Sequence, residues 1–310
     1  MNVDRLALGL AAVGRPAYIN LGRAAELPAE RSVDAMRAAT WRLLDAGYAA
    51  GIRWVDAARS YGRAEEFLGS WLAGRGHSDV AVSSKWGYAY VGDWRMDADV
   101  HEVKEHSLAR FREQYEETRR LLGQHLGLYQ VHSLTADSPL FGDAALQASL
   151  AGLAAEGVRV GFSTSGPRQA ETVLKGFELE VDGQAVFSAV QSTWNLLEPS
   201  VARALVQVPE GSLILVKEAL ANGRLAVRPP EALAAVADVH GVGPDAVALA
   251  AALRQGWADR VLVGAVSEAQ LESNLAALTL DLTEGEVADL AELALPAEQY
   301  WAERSALAWA

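Results

Sequence analysis

Short apolar runs alternate with longer amphipathic stretches along this 310-residue chain. The runs are rich in Val, Leu and Ile and are continuous, which is typical of parallel strands that are covered on both faces. Eight of them predict strands, at residues 6–13, 52–57, 79–85, 126–132, 158–163, 187–192, 212–217 and 260–265.

The stretches between these runs carry apolar residues at helical spacing. They predict helices at residues 33–50, 62–75, 100–122, 142–156, 167–177, 197–206, 231–256 in two pieces, and 268–279. In the stretch 100–122, one helical face would collect Val103, Leu108, Phe111, Tyr115 and Leu122.

Eight strands that are each followed by a helix predict an α/β fold of the closed (β/α)8 TIM barrel type. An open doubly wound sheet generally has fewer strands and a glycine-rich first turn, and no GxGxxG follows any predicted strand here. We therefore expect a single barrel domain over residues 1–310. A C-terminal extension, from about 283 to 310, would add a helix and a tail over the barrel.

Composition narrows the classes of function. A formal net charge of −13 argues against a general role on nucleic acid or on an anionic membrane, because phosphates repel an acidic surface. No apolar run approaches the roughly 18 residues that a membrane span needs. The chain has no cysteine, which excludes disulfides, thiolate metal sites and a cysteine nucleophile. A reducing compartment, the cytoplasm, fits this composition.

Polar residues at the ends of three predicted strands form the candidate site. Asp56 ends the second strand, Lys85 the third and His132 the fourth, and Tyr61 follows shortly after Asp56. The active sites of such barrels lie at the carboxyl ends of the strands, and these strands are neighbours. We therefore expect the four side chains to converge.

Each of these residues alone has a common structural explanation, as a helix cap, a solvated lysine or a packed histidine. Together they are suited to general acid catalysis. A phenol, with a pKa of about 10, becomes a useful acid when a nearby cation stabilises its anion. Lys85 can supply that charge, Asp56 can keep the lysine protonated, and His132 can orient a carbonyl oxygen or share the proton. The set contains no nucleophile, so the electron pair must come from another molecule.

These residues resemble the active site of the aldo/keto reductase family. The stretch VDAARSYGRAEEFLG is similar to the family's strand-to-helix segment, and the four residues fall on its catalytic tetrad. The resemblance covers roughly residues 5–280. It implies hydride transfer from NADPH, with NADH as the alternative, and a cofactor that needs no GxGxxG. By the same resemblance Tyr61 protonates the carbonyl oxygen, Lys85 with Asp56 lowers the pKa of Tyr61, and His132 polarises the substrate.

The resemblance also implies a set of cofactor-binding residues. Ser163, Thr164 and Gln191 match residues that bind the nicotinamide carboxamide, and Leu220 falls on the loop after the seventh strand. Around the adenosine phosphate the matching residues are Gly264, Gln270 and Asn274. Some members carry a lysine and an arginine that bind the 2′-phosphate, and Gly264 and Gln270 take those places.

The seventh strand departs from the family pattern. Lys217, Glu218 and Ala219 stand where the family often has an aromatic that stacks on the nicotinamide, followed by Ser-Pro-Leu. Lys217 is assigned to cofactor binding, where it either reaches a pyrophosphate oxygen or pairs with Glu218.

Aromatic residues follow Lys85 in a long loop. Trp86 and Tyr88 are expected to form substrate-pocket walls, and with the aromatic tail they indicate an apolar or aromatic carbonyl substrate. The nearby HEVKEH, residues 101–106, is not expected to bind a metal, because its histidines are five apart rather than four.

The sequence therefore predicts an NAD(P)H-dependent oxidoreductase that interconverts an aldehyde or ketone and an alcohol, with a small-molecule substrate as its partner. Two alternatives stay open at this point. One is a cofactor-binding regulatory or accessory barrel with little turnover, and the other is elimination or isomerisation at the same site without net redox change. Substrate identity, physiological direction and oligomeric state are left open.

Overall fold

Eight parallel strands close into a barrel in the order in which they occur along the chain. The computed structural model describes residues 2–309, apart from the side chain of Arg23. The strands are β1 (Leu6–Gly9), β2 (Trp54–Asp56), β3 (Ala81–Trp86), β4 (Leu126–Leu134), β5 (Arg159–Thr164), β6 (Ala189–Thr193), β7 (Leu213–Lys217) and β8 (Arg260–Val263). Leu8 of β1 pairs with Val55 of β2 on one side and with Val263 of β8 on the other. The predicted barrel and its eight strands are confirmed.

Helices follow the strands and surround the barrel. They are α1 (Val33–Ala49), α2 (Ala64–Arg75), α3 (Leu108–Leu122), α4 (Ala144–Ala155), α5 (Gln169–Phe177), α6 (Ala202–Leu205), α7 (Glu231–His240), α8 (Pro244–Leu253), α9 (Glu268–Leu275), α10 (Glu284–Ala291) and α11 (Ala297–Ser305). Short helices at Arg23–Glu26 and Arg224–Val227 lie in the loops after β1 and β7. Several helices begin at a side chain that accepts a backbone N–H, as Ser32 does for α1, Ser107 for α3 and Ser267 for α9.

The predicted helix over residues 100–122 is wrong in its first part. The helix begins only at Leu108, and Glu102–Lys104 instead pairs antiparallel with Tyr88–Tyr90 in a hairpin. The apolar residue Val103 belongs to that hairpin and is exposed. The Ser107 side chain caps α3 by accepting the Arg110 N–H, which fixes the start of the helix at this point.

The barrel interior is apolar at its lower end and polar at its upper end, where the carboxyl ends of the strands lie. Leu128, Ala189 and Leu215 form a small buried cluster inside the barrel. Side chains along a strand alternate between the two faces, so residues two further on point inward as well. Gln130, Gln191 and Lys217 occupy those positions. The same alternation therefore places a polar layer above this apolar cluster.

The C-terminal segment packs across the upper end of the barrel. Tyr300 of α11 accepts a hydrogen bond from the Asn195 side chain at 3.0 Å, and Arg304 forms an ion pair with Glu218 in the loop after β7. Beyond α11, the Trp309 ring stacks on His101 with centroids 4.3 Å apart. The outermost residues of the predicted domain, Met1 and Ala310, lie outside the described residues.

No single helix within residues 2–309 is long and apolar enough to cross a membrane, and only α7 and α8 taken together, bent by 93°, meet the length and composition.

Candidate active site

A cavity of about 660 Å³ opens at the carboxyl ends of the barrel strands. Asp56, Tyr61 and His132 line one part of it, and Gly264 and Asn274 line another. This is the end of a (β/α)8 barrel at which active sites lie. The cavity therefore joins the predicted catalytic residues to the predicted adenosine end of a cofactor site.

Asp56 and Lys85 form a buried ion pair beside Tyr61. The Lys85 ammonium donates to Asp56 Oδ1, to the Ala57 carbonyl at 3.0 Å and to Tyr61 Oη at 3.2 Å. Asp56 Oδ2 also accepts from Ser83 Oγ at 2.7 Å and from Gln191 Nε2 at 2.9 Å. Each of the three N–H bonds of the Lys85 ammonium thus has an acceptor, and one of these acceptors is the phenol oxygen of Tyr61.

His132 lies across Tyr61 at the end of β4. Its ring centroid is 5.6 Å from that of Tyr61 and 5.0 Å from that of Tyr88, both edge to face. Its Nδ1 lies 3.4 Å from Ser60 Oγ. The carbonyl of His132 lies 2.9 Å from Nε2 of His106, which holds the strand end in place. The structure thus brings all four predicted catalytic residues together, and Asp56, Tyr61 and His132 line the cavity.

Burial sets the protonation of the phenol and the imidazole. Burial, followed by the Asp56 charge, raises the pKa of Tyr61 well above its ordinary value. Burial and then the Lys85 and Lys217 charges lower the pKa of His132 well below its usual range. At neutral pH the phenol is therefore protonated and the imidazole is neutral. The expectation that Lys85 with Asp56 lowers the pKa of Tyr61 is not met in this structure, because burial and then the Asp56 charge raise it.

Arg15, in the loop after β1, is a site residue that sequence reasoning missed. It is buried, donates to Glu102 Oε1 at 2.7 Å and to the Ser60 carbonyl at 3.0 Å, and its guanidinium lies 5.3 Å from the Tyr61 ring centroid. The preceding Gly14 lets this loop approach the Tyr61 segment, since a Cβ there would lie 2.4 Å from the Tyr61 carbonyl oxygen. No periodicity or motif marks these two residues in the sequence.

Six of the predicted cofactor residues line the cavity, and two do not. The lining residues are Gln191, Lys217, Leu220, Gly264, Gln270 and Asn274. Ser163 is buried and its Oγ accepts the Ser133 N–H at 2.8 Å, whereas Thr164 Oγ1 lies 2.9 Å from Ser192 Oγ. The next residue, Ser165, lines the cavity in their place.

Of the two predicted pocket walls, only Tyr88 lines the cavity. The Trp86 side chain is fully buried against Phe111 of α3, with ring centroids 5.1 Å apart. Its neighbour Lys85 points into the barrel, so the alternation of a strand turns Trp86 outward toward the helix layer. The expectation that Trp86 forms a wall of the pocket is therefore corrected.

The loop after β7 carries a charged cluster. Lys217 Nζ donates to Thr193 Oγ1 at 2.6 Å and lies 3.6 Å from Glu218 Oε1. Glu218 forms a two-pronged ion pair with Arg304 of α11, whose Nε donates to Oε2 at 2.9 Å. Arg304 and Lys217 lower the pKa of Glu218 to about 2, although burial opposes them. Burial lowers the pKa of Lys217 to about 8.

The far end of the cavity carries polar atoms that suit a nucleotide. Asn274 Nδ2 donates to Asp245 Oδ2 at 2.6 Å, and the buried Asn274 Oδ1 has no hydrogen-bond partner. Asn222 also lines the cavity and has a buried Oδ1 with no partner. Buried acceptors of this kind are normally satisfied, and the N–H or O–H groups of a dinucleotide would satisfy them. The residues present therefore fit a dinucleotide cofactor.

Within residues 2–309, no group of three or more His, Asp or Glu side chains is placed to hold a metal ion. His101 and His106 of HEVKEH point to different partners. His101 stacks on Trp309, while His106 contacts Ser138 and the His132 carbonyl.

The fold and the site together define a closed (β/α)8 barrel with a set of Asp, Tyr, Lys and His side chains at the carboxyl ends of its strands. The model of the aldo/keto reductase family matches residues 6–295, nearly the whole chain, and the chain belongs to this family. It is therefore an NAD(P)-dependent oxidoreductase whose reaction interconverts carbonyls and alcohols.

Solved structures share the fold. A glycerol dehydrogenase from Gluconobacter oxydans has a TM-score of 0.71 and 20% identity, over 94% of this chain and 95% of that one. An aldo-keto reductase from Bacillus halodurans, in its holo form, has a TM-score of 0.66 and 21% identity, over 96% of this chain and 95% of that one. The comparison with curated proteins gives no significant match.

Proposed function

We propose that the protein reduces an aldehyde or ketone with a nicotinamide dinucleotide, with Tyr61 as the general acid. The single observation that carries the proposal is the buried contact between Lys85 Nζ and Tyr61 Oη, at the edge of the cavity. The bound cofactor would supply a hydride to the carbonyl carbon. Ser165 and Gln191 would hold its nicotinamide end, Leu220 its middle, and Gly264, Gln270 and Asn274 its adenosine end.

Each of the four residues has a separate role in the transfer of one proton. Tyr61, which is protonated at neutral pH, gives its proton to the carbonyl oxygen as that oxygen becomes an alkoxide. The Lys85 ammonium then faces the new phenolate, and Asp56 is the counter-ion of the lysine. Neutral His132 carries one ring N–H, and in the tautomer whose Nδ1 accepts from Ser60 Oγ that N–H is on Nε2 and can orient the substrate oxygen.

Reduction uses Tyr61 in its protonated form, which burial favours. A small-molecule carbonyl is the partner that we propose. A single domain, a C-terminal extension over the barrel and a cytoplasmic location stay predictions.

Replacing Tyr61 by Phe tests this role. We expect turnover with NADH and an aldehyde panel to fall at least about 10²-fold, the usual contribution of a general acid, while cofactor affinity is unchanged. Tyr115→Phe is the matched control, since it removes a phenol hydroxyl from α3 that does not line the cavity. Near wild-type turnover in Tyr61→Phe would remove the mechanism. Cofactor binding by the wild type without turnover across the panel would instead favour an accessory role.

The charge at the adenosine end favours NADH over NADPH. The family resemblance predicted NADPH with NADH as the alternative. The described residues that line this end include the carboxylate of Asp245, which contacts Ser273 and Asn274, and no lysine or arginine. A carboxylate accepts from a ribose 2′-OH and repels a 2′-phosphate.

Quenching of the fluorescence of the nine tryptophans gives the affinity of each cofactor. We expect NADH to bind about tenfold more tightly than NADPH, and Asp245→Asn, which removes the charge but keeps the size, to narrow that ratio. Tighter binding of NADPH by the wild type would contradict the preference and leave the proposal for Tyr61 intact.

A further inference from the structure

The side chain of Lys217 ends in the catalytic cavity with an amine that the proton-donating set does not use. Lys217 is the last residue of β7, and the ends of barrel strands are where residues reach ligands. Its side chain is 15% exposed and lines the cavity shared with Tyr61 and His132. The side chain is thus largely buried and still reaches the cavity.

The Lys217 ammonium has weaker electrostatic partners than the Lys85 ammonium. Lys85 donates to the carboxylate of Asp56, whereas Lys217 donates to the neutral hydroxyl of Thr193 and lies 3.6 Å from Glu218. Glu218 is already engaged by the two-pronged contact with Arg304. Burial, together with the positive charges of Arg304 and Lys85, lowers the pKa of Lys217 to about 8, against the attraction of Glu218. A desolvated lysine beside other cations is an activated amine nucleophile.

We propose that Lys217 forms an imine with aldehydes that enter the cavity when no cofactor is bound. The lone pair of the neutral amine attacks the carbonyl carbon to give a carbinolamine. The carbonyl oxygen then leaves as water with the two amine protons, and a C=N double bond remains. The step needs no oxidant or reductant, and it does not rest on the proposed hydride transfer.

The consequence is a covalent aldehyde-binding site inside a reductase cavity. A nicotinamide dinucleotide that fills the cavity along Leu220 and Gln191 would cover Lys217 and block imine formation. Aldehydes would then be captured by the cofactor-free protein and reduced by the loaded one.

Reductive trapping tests the site directly. The full-length protein is incubated with benzaldehyde and sodium cyanoborohydride, which converts an imine into a stable secondary amine, and is then mapped by peptide mass spectrometry. The chain has only four lysines, so each site is resolved. At pH 8 we expect the adduct at Lys217 to form about tenfold faster than at the exposed Lys104 or at Lys175. Lys217→Arg keeps the charge next to Glu218 and should lose that adduct alone.

The pH dependence separates an activated amine from an ordinary one. The neutral fraction of Lys217 rises as pH increases toward 8 and then levels off, so labelling of Lys217 by acetic anhydride, which reacts with the neutral amine, should be about tenfold slower at pH 7 than at pH 9. Glu218, Arg304 and Lys85 are the charged groups that act on Lys217, and the charge of Lys217 in turn lowers the pKa of His132. Labelling that keeps rising tenfold per unit up to pH 9 would overturn the proposal.

Other outcomes are equally decisive. Adducts confined to Lys104 and Lys175, or no adduct at all, overturn the proposal whether or not the protein reduces aldehydes. Adduct formation at Lys217 that NADH prevents supports it. Adduct formation at Lys217 in a protein that neither binds NADH nor turns over would support the imine site while the proposed function fails.

Discussion

At the residue scale, the candidate site depends on a carboxylate that holds several donors at once. Asp56 accepts from Lys85 and Ser83 of the neighbouring strand β3 and from Gln191 of β6, across the barrel. Both charges of the Asp56 and Lys85 pair are almost fully removed from solvent. Such a pair is stable as a unit, but either member alone would be a buried, uncompensated charge.

Replacement of Asp56 by Asn is therefore expected to destabilise the fold as well as the site. We expect Asp56→Asn to lower the free energy of unfolding by about 3 kcal/mol, because Lys85 keeps its charge without a counter-ion. The double variant Asp56→Asn with Lys85→Met removes both charges, and it should recover part of that loss. Urea unfolding of the wild type, the two single variants and the double variant completes the cycle. Additive losses would show that the ion pair is not coupled.

At the element scale, the sequence predicts the strands well and the loops between them poorly. Buried strands read as continuous apolar runs, and this signal located all eight. The hairpin at Tyr88–Tyr90 and Glu102–Lys104 was missed because Val103 also fitted the apolar face of a helix. A cap such as Ser107 distinguishes the two, but a serine is too common to be recognised without its N–H partner.

The difference between strands, which have a local sequence signal, and loops, which do not, also explains which site residues were predictable. Lys85 and His132 end apolar runs, so the barrel topology alone brings them together. Trp86 was misplaced because the direction of a side chain depends on the register of its strand, which the run itself does not give. Arg15 and Gly14 act through close contact with the Tyr61 segment, 45 or more residues away, and local patterns do not encode such contacts.

At the scale of the whole molecule, the chain is acidic, yet cations gather at the cavity. Arg15, Lys85 and Arg304 each lie against a carboxylate, which is Glu102, Asp56 and Glu218 respectively. The last pair joins the loop after β7 to the C-terminal helix, 86 residues further along the chain. The net charge of −13 therefore does not describe the site, and the C-terminal segment is held to the barrel by electrostatics as well as by packing.

The contact between Glu218 and Arg304 predicts a pH-dependent contribution to stability. The pKa of Glu218 is depressed to about 2 in the folded chain, so its contribution is fully present above the ordinary glutamate pKa of about 4.3 and is lost as pH falls toward 2. This shift in the pKa of Glu218 corresponds to about 3 kcal/mol in the free energy of unfolding. Glu218→Gln should be less stable than the wild type by about this amount at pH 7.

The difference in the free energy of unfolding between the wild type and Glu218→Gln should decrease as pH falls from 5 to 2, because the wild-type carboxylate is then protonated and resembles the amide. Urea unfolding at pH 7, 5, 4 and 3 measures the difference directly. Glu284→Gln is the matched control, since it removes a carboxylate that also pairs with an arginine but is exposed, and it should change stability by less than about 1 kcal/mol at every pH. A difference for Glu218→Gln that stays constant from pH 7 to pH 3 would assign the loss to packing, and the C-terminal helix would then be held without help from this ion pair.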